Sequence, residues 1–474
     1  MSIITADICI IGAGSGGLSL AAGAVQMGAS VVLFEAGEMG GDCLNTGCVP
    51  SKALLAAAKA AKASLGKPQM GITSHGADVD FATVKDHVSA VIAGIAPHDS
   101  IERFEKLGVK VIPARARFIS PRQAEGGGHI VRFRFAAIAT GSSPFVPPIA
   151  GLNDIDYHTN ETIFDLRERP DHLLVLGGGP IGLEMAQAHL RLGCDVTVVE
   201  ALSIMNRDEP EFVDQLRNHL KSEGVTIIEG AAANKAKQTN DGRIALTLDS
   251  GDAVVGTHLL VAVGRRPNIV DIGLEEAQVK TDRNIIVNAG LRTTNKRIFA
   301  MGDVAGKLQF THMASAHAGT LIKQMLFGLP AKQKEKAVPW VTYTDPELAH
   351  VGMTEAQAKA KFGEHKITVL KACLADNDRA RTELRTEGMV QIIIRHNGQI
   401  IGGTALGPAA GEMISTLTLA IDQGLKIGAL AQMIIPYPTY AEAIKRAAGS
   451  HYTPSLFSDR TRRIVRFLMK LRHH

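Results

Sequence analysis

Residues 7–17 read DICIIGAGSGG, an apolar run that leads directly into a glycine-rich turn. An alanine-rich stretch follows, and then a second apolar run, SVVLFE at residues 30–35. This order predicts a strand, a glycine turn, a helix and a strand, the unit that binds dinucleotides. Its glycines permit close approach of a pyrophosphate to the helix N-terminus, and its terminal acid binds ribose hydroxyls. The predicted binding residues are Gly12, Gly14, Ser15, Gly16, Gly17 and Glu35.

A second copy of the same pattern begins near residue 173. The run LLVLGGGPIG at residues 173–182 is followed by a helical stretch and by DVTVVE at residues 195–200. Two such units predict two bound dinucleotides. The predicted binding residues of this copy are Gly177, Gly179, Ile181, Gly182 and Glu200.

Two cysteines lie just after the first unit, in GGDCLNTGCVPSK at residues 40–52. Cys43 and Cys48 are close enough in sequence to form a disulfide that opens and closes locally, and they lie beside a predicted dinucleotide. We therefore interpret the pair as a redox relay. A structural staple or half of a metal site are the alternatives; both are unexpected in a cytosolic chain without a second Cys/His pair nearby.

The segment around these cysteines resembles the active-site segment of the pyridine nucleotide-disulfide oxidoreductases, which include lipoamide dehydrogenase, glutathione reductase and mercuric reductase. The resemblance implies FAD on the first unit and a nicotinamide cofactor on the second. It implies that Cys48 contacts the flavin and that Cys43 faces the substrate. Lys52 matches the lysine of lipoamide dehydrogenase and is expected to pair with Glu184 near the flavin; an ordinary surface salt bridge is the alternative.

The same resemblance places Glu200 where NADH is distinguished from NADPH. Its carboxylate accepts hydrogen bonds from a free 2′-hydroxyl and repels a 2′-phosphate, so NADH is the predicted donor and NADPH is less favoured. Arg207 could in principle serve a phosphate, but it follows a carboxylate that opposes one.

Three further segments resemble family elements. IATGS at residues 138–142 and VAVGRRP at 261–267 resemble the crossovers between the FAD and NAD domains, and IFAMGD at 298–303 resembles the segment whose aspartate binds the flavin ribityl chain. An ordinary turn is the alternative for that Gly-Asp pair. The cofactor-binding residues expected from these segments and their surroundings are Ala116, Thr140, Gly141, Ser142, Gly264, Gly302, Asp303 and Thr311.

The length of 474 residues suggests about three domains. We predict an α/β protein with two Rossmann-like dinucleotide-binding domains plus a C-terminal α+β dimerisation domain. The FAD domain is predicted at 1–145 and 270–335, the NAD domain at 146–269 and the interface domain at 336–474. By resemblance the protein is a homodimer whose active site is completed by the partner's C-terminal region; a monomer with a private third domain is the alternative.

Composition excludes several classes of protein. No apolar run approaches the roughly 18 residues of a membrane span, and the apolar N-terminal run lacks a basic n-region, so it predicts a buried strand. Five cysteines are too few for a disulfide framework, which favours a cytoplasmic location. The body is nearly neutral and indicates no nucleic-acid partner.

The net charge of +4 comes from a C-terminal tail at residues 455–474. This tail has six basic residues against one acid, and it places Ile464, Phe467, Leu468 and Leu471 at helical spacing. The pattern fits a helix lying peripherally on an anionic membrane surface. The pattern also fits a helix docked on its own domain, and this is the arrangement that we expect.

One departure from the resemblance concerns the proton acceptor. Thiol-disulfide reductases of this family carry a His-Pro-Thr-x-x-Glu segment, whereas this chain reads Tyr437, Pro438 and Thr439, with Glu442 in place. A phenol with a pKa near 10 is not a base at neutral pH, and loss of a positioned base commonly costs about 10²–10⁴ in rate. Tyrosine at this position resembles mercuric reductase. However, no cysteine follows Cys373, where mercuric reductase has a vicinal pair near its C-terminus.

These observations predict an FAD-dependent NADH oxidoreductase that passes electrons through a Cys43–Cys48 disulfide to a disulfide acceptor, lipoyl-type or other. Two alternatives remain open: a mercuric-reductase-like metal-ion reductase, and a redox-sensing flavoprotein without efficient turnover. Glutathione is the least favoured substrate, because Pro180 stands where glutathione reductase has a tyrosine over the flavin. No resident metal site is predicted.

Overall fold

The computed structural model describes residues 2–306 and 308–472. The last two residues of the predicted tail range therefore lie outside the described residues. Two compact units are found: one runs to Ser203 and resumes at Gly224–Gln333, and the other comprises Ile204–Glu223 and the chain from Lys334 onward. Both dinucleotide patterns lie in the first unit. The boundaries predicted between the FAD and NAD domains remain predictions.

The strand of the first glycine pattern, the apolar N-terminal run, lies in the middle of a mostly parallel sheet. Its buried side chains are typical of a strand covered on both faces. Ser2–Ile11 pairs in parallel with Val31–Glu35 on one side and with His129–Ile138 on the other, and Ile11 is in register with Phe34 and Ile138. Lys110–Pro113 and Ile298–Ala300 add further parallel pairs, and Arg117–Ser120 and Gln123–Gly126 form an antiparallel edge. The helices of this part are Ser15–Gln26, Gly41–Asn45, Cys48–Ala63, Phe81–Ile95, Ile101–Lys106 and Thr311–Met325.

The second glycine pattern repeats this arrangement. Its parallel strands lie in the order Thr226–Glu229, Asp195–Glu200, His172–Leu176 and His258–Val261, with the helix Pro180–Arg191 after the glycine turn. An antiparallel sheet of Ala233–Gln238, Ile244–Leu248 and Ala253–Gly256 is attached to it. The predicted crossovers lie together, because Ser142–Pro144 pairs with Arg265–Pro267. A small hairpin pairs Gly66–Lys67 with Ile72–Thr73.

The second unit is built on an antiparallel sheet. Its strands lie in the order Pro339–Thr342, Glu347–Gly352, Ile400–Gly407, Met389–Arg395 and Ile367–Cys373. Buried aliphatic side chains of this sheet pack against the helices Ala410–Asp422 and Glu442–Ser450. The remaining helices of this unit are Pro210–Glu223, Glu355–Phe362, Asp378–Thr382, Ile427–Ala431, Thr453–Leu456 and Asp459–Arg472.

The C-terminal helix Asp459–Arg472 is not docked, so the expectation that it packs on its own domain is wrong. No residue of this helix is buried. Phe467 is 63% exposed and Leu471 is 59% exposed. The helix is strongly amphipathic, and nothing in residues 2–306 or 308–472 covers its apolar side chains. Across 2–306 and 308–472, no helix has the length and apolar character needed to cross a membrane.

Candidate active site

The two glycine turns have the same geometry. Gly12 has φ +107° and Gly177 has φ +114°, a region that favours glycine. A Cβ at Gly12 would lie 2.4 Å from the Ala139 carbonyl oxygen, and one at Gly177 would lie 2.5 Å from the Ala262 carbonyl oxygen. Each turn therefore requires glycine for close contact with the neighbouring strand end.

The second glycine of each turn faces open space instead. A Cβ at Gly14 or at Gly179 would meet nothing within 4 Å. These residues are the N-caps of the helices that begin at Ser15 and Pro180, and neither makes a side-chain cap hydrogen bond. Uncovered N–H groups and the positive end of the helix dipole remain available there. Both turns therefore fit a dinucleotide pyrophosphate.

The two acids that end the second strands are held alike by their glycine turns. Glu35 accepts hydrogen bonds from the backbone N–H groups of Ala13 (2.5 Å) and Gly37 (2.7 Å). Glu200 accepts from those of Gly178 (2.7 Å) and Leu202 (2.9 Å). Each carboxylate is thus fixed at the carboxyl edge of its sheet, where a ribose is bound in folds of this kind.

The dithiol segment packs directly against the first glycine turn. The Gly40 N–H donates to the Ala13 carbonyl at 3.0 Å, and a Cβ at Gly41 would lie 2.8 Å from the Cα of Gly14. Gly40 and Gly41 have φ values of +89° and +60°, so this approach depends on glycine. The two cysteines are therefore held next to the predicted FAD pyrophosphate site.

Cys48 and Cys43 differ in their surroundings. Cys48 is the first residue of the helix Cys48–Ala63, where the helix dipole favours a thiolate. A hydrogen bond from the Cys43 thiol, supported by the Thr311 hydroxyl 3.4 Å from the Cys48 sulfur and by the charge of Lys52, lowers the pKa of Cys48 to about 6. Donation of that bond, burial, and the nearby Asp42 carboxylate raise the pKa of Cys43. The reduced pair therefore holds its proton on Cys43.

Lys52 and Glu184 form the expected ion pair. Their charged atoms lie 2.9 Å apart, and the Glu184 side chain is 5% exposed while that of Lys52 is 37% exposed. Lys52 lies one helical turn after Cys48, so the pair belongs to the dithiol site. A simple surface salt bridge does not describe it, because the carboxylate is buried.

Asp303 lies where the crossovers meet. Its carboxylate accepts a hydrogen bond from Ser142 at 2.5 Å, and Arg265 donates to the same hydroxyl at 2.7 Å. Burial raises the pKa of Asp303, while the Ser142 hydrogen bond and the Arg265 charge oppose that rise. A buried carboxylate next to the dithiol segment fits a hydroxyl-rich chain such as ribityl.

The other predicted residues of the crossovers support the same region. The Thr140 hydroxyl donates to the Asn268 carbonyl at 2.7 Å, and the Gly302 N–H donates to His317 at 3.1 Å. Gly141 and Gly264 have φ values of +67° and +143°. Ala116 is different, because it is 2% exposed and packs in the core below the first sheet.

Three residues of this region were not anticipated from the sequence. Asp42 precedes Cys43 and lies 3.3 Å from Arg265, and it accepts a hydrogen bond from Asn160 at 2.8 Å. The position of Asp42 beside a reactive cysteine was a usable indication. Asn160 is 118 residues from Asp42, and no local pattern predicts their contact.

Tyr437 and Glu442 lie in the second unit. Tyr437 is 70% exposed, and its hydroxyl donates to Asp378 at 3.0 Å. The Asp378 carboxylate raises the pKa of Tyr437 above its ordinary value. Glu442 begins the helix Glu442–Ser450 and accepts a hydrogen bond from the Thr439 N–H at 3.3 Å.

Comparison with known proteins identifies the class. Residues 6–318 match the family of pyridine nucleotide-disulphide oxidoreductases, and residues 338–448 match the dimerisation domain of that family. The chain belongs to this family, as the sequence predicted. It is an FAD-dependent NAD(P)H disulfide oxidoreductase and, through its dimerisation domain, a homodimer. The predicted fold class is confirmed.

Individual relatives carry different names. The chain is 36% identical over 453 residues to the mercuric reductase of Streptomyces lividans, covering 93% of this chain and 95% of the relative. It is 34% identical over 457 residues to the dihydrolipoyl dehydrogenase of Geobacillus stearothermophilus, covering 94% and 96%. The solved structure of the HOCl-induced flavoprotein disulfide reductase RclA from Escherichia coli has a TM-score of 0.85 at 27% identity, covering 94% of this chain and 99% of that one.

Proposed function

We propose that the enzyme transfers two electrons from NADH to the Cys43–Cys48 disulfide and from there to a disulfide acceptor. The first glycine turn, Glu35 and Asp303 would hold FAD, which would supply the two-electron chemistry between NADH and the disulfide. The observation that supports this assignment is the contact of the dithiol segment with the first glycine turn, through Gly40 and Ala13.

The two cysteines have different roles in the thiol–disulfide exchange. Reduction of the disulfide with two electrons and one proton gives a thiolate at Cys48 and a thiol at Cys43. Cys43, once deprotonated, attacks one sulfur of the acceptor disulfide, forms a mixed disulfide and releases the first acceptor thiolate. The Cys48 thiolate then attacks Cys43, restores the internal disulfide and releases the second acceptor thiolate. Lys52 and Thr311 favour the Cys48 thiolate throughout.

Removal of the proton from Cys43 is expected to be the slow step of turnover. We propose that Tyr437 and Glu442 of the partner subunit's C-terminal unit complete this site, as the family resemblance implies. A phenol whose pKa is raised by Asp378 is a poor base at neutral pH. Turnover of ordinary disulfides is therefore expected to be slow.

A direct test replaces Tyr437 by histidine, with Tyr437→Phe as the matched control. NADH-dependent reduction of lipoamide is expected to rise about 10- to 100-fold in Tyr437→His, because a base is restored, and to remain unchanged in Tyr437→Phe. Unchanged rates in both variants would remove Tyr437 from the reaction.

The same tyrosine favours a second candidate, reduction of a soft metal ion as substrate. Mercuric reductases are among the relatives, and thiolates are the ligands that soft ions prefer. Hg(II)-dependent NADH oxidation that falls in Tyr437→Phe, with no gain of lipoamide turnover in Tyr437→His, would favour this candidate over disulfide reduction.

We also propose that the tail helix Asp459–Arg472 lies on an anionic membrane surface. Its exposed apolar side chains and its basic residues fit such a surface, to which each basic residue contributes about 1 kcal/mol. The helix also lies beyond residue 448, where the match to the dimerisation domain ends.

Sedimentation with lipid vesicles tests this contact. The full chain is expected to sediment with phosphatidylglycerol vesicles and to be released by salt, whereas a chain ending at Tyr452 remains in solution. Phe467→Asp with Leu468→Asp is expected to abolish sedimentation without loss of basic residues. Equal sedimentation of the full and shortened chains would refute the proposal.

A further inference from the structure

The Arg265 guanidinium lies at the centre of a polar cluster in the first unit. Its Nε atom donates to the Ser142 hydroxyl at 2.7 Å, and its Nη2 atom donates to the Ser142 carbonyl at 2.7 Å. Its Nη1 atom donates to the Asn160 amide oxygen at 3.4 Å. The Arg265 side chain is 14% exposed, so most of it is shielded from water. These contacts hold the planar guanidinium in one orientation.

Two carboxylates lie beside this guanidinium. The Asp42 Oδ2 atom is 3.3 Å from its Nη2 atom, and the Asp303 Oδ2 atom is 3.9 Å from its Nε atom. Asp303 is also joined to the cluster through Ser142, whose hydroxyl donates to the Asp303 carboxylate at 2.5 Å. Burial raises the pKa of Asp303, and the Asp42 charge adds to that rise. The two carboxylates therefore repel each other, and the charge of Arg265 offsets the repulsion.

The two carboxylates belong to different parts of the site. Asp42 is in the short helix Gly41–Asn45, which also carries Cys43. Asp303 is the residue expected at the flavin ribityl chain. Arg265 lies on a crossover strand, outside both parts. A single guanidinium thus joins the helix of the first cysteine to the predicted flavin site.

We propose that Arg265 is a positioning residue that keeps the helix Gly41–Asn45 next to the predicted flavin site by pairing with Asp42 and Asp303 together. Loss of the guanidinium would leave two partly buried carboxylates without their common counter-ion. Their repulsion would then favour local opening of this helix, away from the flavin site. This inference rests on the proposed role of the dithiol, which requires the cysteines to stay close to the flavin.

Hydrogen exchange of the cysteine segment tests this inference. Exchange of the backbone amides of residues 41–47 is followed by mass spectrometry in the oxidised, FAD-loaded enzyme without NADH. Arg265→Gln keeps a polar side chain and removes the charge. Exchange of the segment is expected to become about tenfold faster or more, the change that corresponds to loss of one charge-assisted interaction. Arg266→Gln is the matched control, because it removes an exposed positive charge from the next residue and is expected to leave exchange unchanged.

A second variant distinguishes the charge of Arg265 from its hydrogen bonds to Ser142. Asp42→Asn keeps the oxygen that accepts from Thr46 and Asn160, and it removes one of the two negative charges. Most of the protection is therefore expected to return when Asp42→Asn is added to Arg265→Gln. A long-wavelength charge-transfer band, measured after reduction with a phosphine, is expected to follow the same order. It should weaken in Arg265→Gln and recover in the double variant.

Unchanged exchange in Arg265→Gln would overturn the inference, as would unprotected amides in the unmodified enzyme. Faster exchange that Asp42→Asn does not reverse also contradicts it, because Arg265 would then act only through Ser142. If Arg265→Gln does not fold or retain FAD, recovery of both properties in the double variant supports the inference, and failure of the double variant overturns it. The exchange measurement needs neither NADH nor free thiols. Absence of the charge-transfer band in the unmodified enzyme would therefore refute the proposed function and leave the exchange result intact.

Discussion

Replacement of Gly179 by alanine separates folding from cofactor binding. The residue has φ −80°, which any amino acid adopts, and the added methyl group would meet no protein atom within 4 Å. The free energy of unfolding should therefore hold or rise by about 0.4–1 kcal/mol, since alanine restricts the unfolded chain. In the proposed placement of the cofactor, the methyl group would occupy the space in which the pyrophosphate approaches the helix N-terminus.

The expected loss is that of one charge-assisted hydrogen bond, about 1.5–3 kcal/mol, which corresponds to an affinity for NADH about 10- to 140-fold weaker. NADH fluorescence titration measures the affinity, and flavin absorbance measures FAD content, which should not change. Gly14→Ala is the mirror variant and should lose FAD. Gly177→Ala should lower stability, because its methyl group meets the Ala262 carbonyl. NADH affinity within twofold of the original in folded Gly179→Ala would refute the placement of the cofactor.

Three further outcomes are expected. The pKa of Cys48 is lowered to about 6, so its thiolate should persist above that pH and be lost as pH falls through it. Lys52→Met should move the midpoint of this titration upward by about 0.5–1 unit. Alkylation of Cys48 as a function of pH measures both, and an unmoved midpoint would exclude Lys52 as a cause of the lowered pKa. Lys52→Met should also lower the free energy of unfolding by about 2 kcal/mol, because it leaves the Glu184 carboxylate buried without its ammonium partner. Denaturant unfolding of the double variant Lys52→Met/Glu184→Gln should show that most of this loss is recovered. Glu200→Ala should raise the NADPH-to-NADH ratio of kcat/KM about tenfold or more while retaining FAD, whereas Glu35→Ala should lose FAD; an unchanged ratio would remove Glu200 as the selector.

The dinucleotide folds could be predicted because their determinants are local. A strand, a glycine turn, a helix and a terminal acid occur within about thirty residues, and close backbone contact at Gly12 and Gly177 permits no other residue type. The pairing of Lys52 with Glu184 spans 132 residues and was expected only through the family resemblance. The roles of the individual site residues remain proposals.

The sequence could not supply contacts that depend on tertiary packing. Asn160 reaches Asp42 only because its segment is fixed to a strand of the second dinucleotide unit. For the tail, the sequence predicts the helix but not what covers it. The spacing of Ile464, Phe467, Leu468 and Leu471 predicts an apolar helix face, but periodicity does not identify the surface against which that face packs. The helix forms as predicted, but it does not dock on its own chain as expected.

The central claim is that the Cys43–Cys48 pair lies in the electron path. Anaerobic titration of the FAD-loaded enzyme with NADH, followed by absorbance and by thiol counting, tests it most directly. The first equivalent of NADH should generate two alkylatable thiols, retain most of the flavin absorbance and produce a long-wavelength charge-transfer band that is absent in Cys48→Ser. Direct bleaching of the flavin by the first equivalent, with no new thiols and no such band, would contradict the claim.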